Sequence, residues 1–550
     1  MNQNQTTALS FISSWCRVAM TRAQQHMVLA FLLAVWINAP YWWKTIGLMR
    51  QQEAWQLSFL GSQILFVFGV TLSLFFLLPT KRFIYVLIFT IAALCSYFSF
   101  TYQVYIDRSM LVNLIRTDYH EAKGLLSSSL VLWMCVFLLP CGLYLKRLSP
   151  KTGASLKFRH RILFSLFAFS FALLVSFPIY KNYASFYRIN NNQYKILAPY
   201  NLLVATFEYA KRQYNVQRTH VPVAVDAKRS ASALTPSTLW VLVIGETARA
   251  DRFSLNGYSR LTNPTLSQLP NLVSFSKAVS CGTVTAYSVP CLLSDLSAKK
   301  FNPDEAPYRD NILDILKRVG VQVDWLDNQS GCQGTCAAVS YLRLPQDCPE
   351  KLCFDVQLVE ALKNKLQENP SQDQLIVLHM NGSHGPAYYQ RYPKEYEQFA
   401  PACITNAIEK CSVEELNNVY DNTIFYTDAV LGAIIEQLSH ESHRSSAMLY
   451  LSDHGESLGE NGWYLHGAPY RIAPKEQTHI PFIFWANTEF YQRSTLNWGC
   501  LKERADATNI SQDAVFHTLL AGFSVQTSSY DPNLDALEPC RQKKHESITH

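Results

Sequence analysis

Five apolar stretches in the first third of the chain constrain it most. They lie at 27–43, 57–79, 83–102, 125–145 and 162–180. Each has the length of about 17–25 residues that carries a helix across a bilayer. Backbone N–H and C=O groups in hydrocarbon must pair within their own segment, so these stretches are predicted to be transmembrane helices. The first is not read as a cleaved leader. No small-residue cleavage site follows it, and WINAPYWWK (36–44) continues with interfacial aromatics.

Basic residues orient the helices. Residues 1–215 carry 20 Lys and Arg against 5 Asp and Glu, an asymmetry hidden in an overall formal charge of +6. With a cytoplasmic N-terminus, the inside segments hold Arg17 and Arg22, then Lys81 and Arg82, then six basic residues from Lys146 to Arg161. An odd number of spans then exports everything after residue 180. No Lys/Arg array resembles a nucleic-acid surface, so membrane lipids are the expected partners and nucleic acid is not. In the second outside loop, MLVNLIRTDYHEAKGLL (110–126), Asn113, Thr117 and Glu121 recur at i, i+4 and i+8. That spacing puts three polar side chains on one helix face, which reads either as a solvated surface or as a strip that reaches a lipid headgroup.

The expected domains are a transmembrane domain over 1–182, an interfacial bridging segment and linker over 183–237, and a catalytic domain over 238–550. In the last, strand-like runs at 239–244, 321–326, 375–379, 447–451 and 480–485 alternate with helical patterns at 310–319, 355–367 and 413–438. Such alternation predicts an α/β/α sandwich on a mostly parallel sheet. Ten of the 14 cysteines fall after residue 280, mostly in close neighbouring pairs. That usage suits disulfides in an oxidising compartment; zinc ligation is the rival reading for Cys332 with Cys336 and for Cys348 with Cys353.

Chemistry-bearing residues gather directly after the strand-like runs. Glu246 follows one in VLVIGETARAD (241–251), and Asp453 and His454 follow another in LYLSDHGESLGE (449–460). Carboxylate oxygens and imidazole on rigid supports are what a borderline dication binds. Thr285 sits in SCGTVTAYSVPC (280–291) between two cysteines whose disulfide would fix its hydroxyl. His379 and His384 lie in LHMNGSHGP (378–386), and His466 in WYLHGAP (463–469). Singly these are ordinary turn features. Together, at the ends of strands in one sheet, they argue for a metal-assisted site.

These motifs resemble the phosphoethanolamine transferases of Gram-negative bacteria, in the alkaline-phosphatase-like superfamily. That group includes the lipid A transferases and the mobilised colistin-resistance enzymes. The likeness covers nearly the whole chain: five spans, a bridging segment, then IGETAR, the CGT-containing loop, GSHGP and SDHGESLGE. It implies that Glu246, Thr285, Asp453 and His454 bind one zinc ion, with room for a second, and that Thr285 is the nucleophile that becomes phosphoethanolamine-modified. It makes His384 and His466 catalytic, in contact with the phosphoryl group or a second zinc, and His379 a nearby site histidine. It assigns Asn113, Thr117 and Glu121 to the ethanolamine headgroup, and Ser330 and Gln333 of SGCQGTC (330–336) to substrate. The family often carries Lys in that last segment, so the neutral Gln333 is a departure that bears on substrate affinity or acceptor choice.

The expectation is a monomeric, zinc-dependent phosphotransferase with phosphatidylethanolamine as donor and lipid A as acceptor, conferring resistance to polymyxins. Coordination lowers the pKa of a hydroxyl and offsets charge on phosphoryl oxygens, and a covalent intermediate gives ping-pong kinetics. Competing readings are transfer to another envelope acceptor, phosphoglycerol transfer, a membrane-anchored phosphatase or sulfatase, and a receptor or scaffold. The expected disulfides are Cys281–Cys291, Cys332–Cys336, Cys348–Cys353, Cys403–Cys411 and Cys500–Cys540.

Overall fold

A computed structural model of the chain describes residues 23–49, 56–79, 81–117, 119–147, 158–190, 193–215, 219–229, 237–345, 353–368 and 371–542. Arg17, Arg22 and most of the basic 146–161 segment lie outside the described residues. The chain divides into two compact units: residues 1–108 with 128–207, and residues 109–127 with 208–550.

The first unit is a set of apolar helices. Gln56–Leu77, Arg82–Thr101, Ser128–Arg147 and Phe158–Ser176 are separate helices, and four spans are long and apolar enough to cross a membrane among the described residues. A fifth forms if Ala23–Ile37 and Ala39–Met49, bent by 54°, are counted together. The bend falls in the expected 27–43 span and has a local cause. Pro40 brings no N–H to the ladder and clashes with the preceding turn. The carbonyl of Trp36, which residue 40 would have served, takes the Asn38 N–H instead, and the Asn38 side-chain amide donates to Leu33 O at 2.8 Å and Ala198 O at 2.7 Å. The Gln56–Leu77 and Phe158–Ser176 helices approach closely because Gly69 faces Ala168 and Ala172; a Cβ at Gly69 would stand 2.9 Å from the Ala172 methyl. Small residues at the crossing are how helices associate without a hydrophobic drive between them.

The second unit is an α/β/α sandwich. Its sheet contains β1 (Thr238–Gly245), β2 (Leu272–Ser274), β3 (Gln322–Asp327), β4 (Ser340–Arg343), β5 (Gln374–His379), β6 (Ser445–Ser452) and β7 (Phe482–Ala486). The spatial order is β2-β7-β6-β1-β5-β3-β4. From β6 to β4 all neighbours are parallel, while β7 runs antiparallel to both β6 and β2. The central strands are continuous apolar runs because both faces are covered. Val241, Leu242, Val243 and Ile244 of β1 are all fully buried. Among the covering helices are α1 (Thr285–Leu292), α2 (Ile312–Arg318), α3 (Val356–Glu368), α4 (Val413–Ser439) and α5 (Ala514–Gly522). Helices α2 and α4 start with complete capping boxes, Asn311 with Asp314 and Ser412 with Glu415. Strands β2 and β4 were missed in the sequence because they are short edges, and β4 is exposed throughout.

The disulfides Cys281–Cys291, Cys332–Cys336, Cys403–Cys411 and Cys500–Cys540 are formed. The zinc reading of Cys332 and Cys336 is thereby replaced by a covalent bond. Cys353 is also disulfide-bonded, and Cys348 lies outside the described residues.

The expected single polar face over 113–121 is corrected. The segment is two helices, Arg108–Arg116 and Tyr119–Gly124. Thr117 ends the first: both its N–H and its hydroxyl bond to the Asn113 carbonyl, at 2.8 and 3.0 Å. A β-branched hydroxyl bonded back to i−4 bends or stops a helix. Asn113 and Thr117 stay together in that last turn, whereas Glu121 belongs to the next helix, its side chain outside the described residues.

Candidate metal and nucleophile site

Four parallel strands deliver their C-terminal ends to one place. Glu246 follows β1, Asp453 and His454 follow β6, His379 ends β5, and Asp327 ends β3. Neighbouring strands in register bring these ends side by side, the crevice in which open α/β sheets hold ligands. Thr285 arrives from outside the sheet as the first residue of α1, after Val284 in extended conformation. The Cys281–Cys291 bond ties that turn to its own helix.

Glu246, Asp453 and His454 are fully buried, and one ligand atom from each lies within 4.8 Å of the others. The Thr285 hydroxyl donates to Glu246 Oε2 at 3.1 Å and stands 3.4 Å from His454 Nε2. His454 Nδ1 is 3.0 Å from the Gly455 carbonyl, which only accepts, so Nδ1 carries the proton. Burial lowers the His454 pKa to about 4, the Asp453 charge opposing only in part. The ring is therefore neutral, with its Nε2 lone pair facing Asp453 Oδ2 at 3.2 Å and Glu246 Oε1 at 3.6 Å. Asp453 Oδ2 is buried with no hydrogen-bond partner among the described residues. Buried lone pairs facing one another without a proton between them cost free energy unless a cation joins them. The oxygen and imidazole donors fit zinc or a similar dication, and the Nδ1 bond orients the imidazole as outer partners of metal ligands do.

The remaining expected residues occupy distinct positions. His466 lies beside His454, ring centroids 4.6 Å apart, and His384 is 5.2 Å from His466. His466 Nδ1 donates to Glu456 Oε2 at 3.0 Å, and the Tyr388 hydroxyl donates to the other Glu456 oxygen at 2.8 Å. His379 is fully buried, with Nδ1 held by Asp327 at 2.8 Å. Burial raises the Asp327 pKa, but the His379 bond and charge outweigh it and hold that carboxyl below its ordinary value. Ser330 and Gln333 bond to each other, Gln333 Nε2 to Ser330 Oγ at 3.3 Å.

Five contributors were not singled out in the sequence. Gln329 Nε2 donates to Glu246 Oε2 at 2.8 Å. Asp327 carried the same strand-end signal as Glu246. Glu456 sat inside the SDHGESLGE motif. Gly382 (φ +54) packs against the Glu246 backbone so closely that a Cβ would stand 2.6 Å from Glu246 O. Arg249 joins the two acidic turns, donating to Glu460 at 2.6 Å and to the Glu456 carbonyl at 3.3 Å.

Residues 238–525 match the sulfatase family, and residues 64–214 match the phosphoethanolamine transferase EptA/EptB family. Phosphoethanolamine transferase EptA of Salmonella typhimurium is 39% identical over 462 residues, covering 82% of this chain and 84% of that protein. Phosphatidylethanolamine transferase Mcr-2 of Escherichia coli is 34% identical over 546 residues, covering 93% and 97%. The solved integral membrane protein lipooligosaccharide phosphoethanolamine transferase A (EptA) of Neisseria meningitidis superposes with a TM-score of 0.88 at 33% identity, over 94% of this chain and 99% of that one. Apolar helices in the N-terminal part, a sulfatase-like catalytic domain and likeness over nearly the full length agree: the chain belongs to the phosphoethanolamine transferase family, within the alkaline-phosphatase-like superfamily, and is an enzyme of that family.

Proposed function

We propose that this enzyme moves phosphoethanolamine from phosphatidylethanolamine to lipid A in two displacements, with Thr285 as the covalent carrier. The observation that carries the reading is the Thr285 hydroxyl at the N-terminus of α1, within hydrogen-bonding reach of Glu246 and close to the unprotonated His454 Nε2. Glu246, Asp453, His454 and Thr285 itself would hold Zn2+, which supplies a lowered hydroxyl pKa and offsets phosphoryl charge.

In the first displacement the Thr285 hydroxyl gives its proton to Glu246 Oε2, to which it donates, Oγ1 forms a bond to phosphorus, and the bond from phosphorus to the glycerol oxygen breaks. The departing diacylglycerol oxygen takes a proton, for which His466 and His384 are the nearest candidates, His466 being oriented by Glu456. In the second, an anionic oxygen of a lipid A phosphate bonds to the same phosphorus, the bond from phosphorus to Thr285 Oγ1 breaks, and Oγ1 takes back the proton held at Glu246. The N-terminus of α1 favours the anionic group at Thr285 throughout. Asn113, Thr117 and Glu121 recognise the ammonium, and Ser330 and Gln333 contribute to substrate contact. The basic segments around 81–82 and 146–161 support a catalytic unit facing the periplasm of the inner membrane. Capping a phosphate with an amine reduces surface charge, so polymyxin susceptibility falls.

Tandem mass spectrometry of lipid A from Gram-negative cells expressing the protein tests the reading. One added phosphoethanolamine per modified phosphate is expected, absent with Thr285→Ala. Unmodified lipid A alongside a phosphoethanolamine adduct on another envelope molecule would reassign the acceptor.

A further inference from the structure

Arg116 fills a gap that Pro290 opens in the helix of the nucleophile. In an uninterrupted helix the N–H of residue 290 is directed at the carbonyl of residue 286. Pro290 lies inside α1 and has no N–H. The Ala286 carbonyl instead receives Arg116 Nη1 at 3.0 Å. A charged donor to a carbonyl is among the stronger hydrogen bonds. Ala286 adjoins Thr285, so the bond lands one residue from the nucleophile.

The helix Arg108–Arg116 touches the site at a second point. Gly467 follows His466 with φ +89, and a Cβ there would stand 2.5 Å from Met110 Cε. Gly467 N donates to the Thr283 carbonyl at 2.9 Å, joining the His466 loop to the turn before Thr285. One helix therefore packs on both catalytic loops, by Met110 near its start and Arg116 at its end. Asn113 lies between them, and steps of three residues keep all three within about 120° of one another around the helix.

We propose that Arg116 is a positioning residue for the donor: its bond to Ala286 fixes the helix bearing Asn113 and Thr117 relative to Thr285, so that a phospholipid held by its headgroup presents phosphorus to the hydroxyl. The proposal rests on the donor-binding and covalent roles proposed above, and its test separates the two.

Initial rates are measured on the full-length enzyme in lipid nanodiscs, varying phosphatidylethanolamine and lipid A independently. Arg116→Ala lowers kcat/KM for the donor roughly 10- to 100-fold and leaves kcat/KM for the acceptor within about twofold. Arg116→Lys, which keeps a charged donor without the fork, recovers part of the loss. Met110→Ala shifts the same donor-side parameter less, and melting temperatures check that each variant is folded. An equal fall on donor and acceptor sides, or an unchanged donor side in folded Arg116→Ala, overturns the role. Intersecting rather than parallel plots for the wild type would overturn the covalent carrier instead, and donor KM, raised or unchanged in Arg116→Ala, would still decide the role of Arg116.

Discussion

The two compact units both have apolar cores and differ in the polar groups they bury. In the helical unit the outward faces are apolar, with Phe167 76% and Phe177 75% exposed. Its interior packs Leu33, Phe75 and Phe89 and also holds neutral polar pairs such as Ser73 with Ser165 at 2.8 Å and the half-buried Ser62 with Tyr183 at 3.0 Å. In the catalytic unit the central strands β1, β5 and β6 carry long apolar runs, and buried carboxylates stand at the ends of β1, β3 and β6. The polar pairs of the helical unit are neutral, join helices and are individually weak. The catalytic strand ends bury charge that costs stability unless a ligand compensates it.

That contrast predicts graded effects of substitution. Glu246→Ala should have the largest: zinc measured by plasma mass spectrometry falls to background, transfer is lost, and added zinc restores little, because one carboxylate leaves a buried site whose other donors are fixed. Retention of stoichiometric zinc would move the metal elsewhere. Gly382→Ala should come next. Its methyl meets the Glu246 backbone at a positive φ, and a displacement of about 1 Å in a catalytic group costs on the order of 100-fold in rate. Near-normal kcat would mean that the Glu246 turn yields freely.

In the helical unit the effects should appear in stability and spare the metal. Gly69→Leu forces a side chain into Ala172 and should cost about 1–3 kcal/mol, as overpacking does, with zinc content unchanged; a loss of zinc in this variant would break the separation between the units. Ser165→Ala removes one interhelical hydrogen bond and should cost about 0.6 kcal/mol, the average for such pairs in membranes, read from unfolding in detergent.

Much of this was visible in the residues because the signals are local. Apolar length marked the spans, and carboxylates after apolar runs marked Glu246 and Asp453. What escaped depends on contacts made across the fold. The partner of the Asn38 amide at the bend is the Ala198 carbonyl, 160 residues away. Thr117 stops its helix through a back-bond that spacing alone treats as continuation. Gln329 reads as an ordinary loop amide until β3 is set two strands from β1 and its amide reaches Glu246. Arg116 looks like one more basic residue near a membrane until Pro290 leaves the Ala286 carbonyl for it.

The central claim is that Thr285 carries the phosphoethanolamine group, and intact-protein mass spectrometry tests it directly. Wild-type enzyme incubated with phosphatidylethanolamine and no acceptor should gain a single phosphoethanolamine adduct, mapped by fragmentation to the peptide containing Thr285. Thr285→Ala should gain none and transfer nothing while melting within a few degrees of wild type, since a loop hydroxyl adds little to the core. Full transfer by Thr285→Ala, or an adduct mapped to another side chain, would contradict the account.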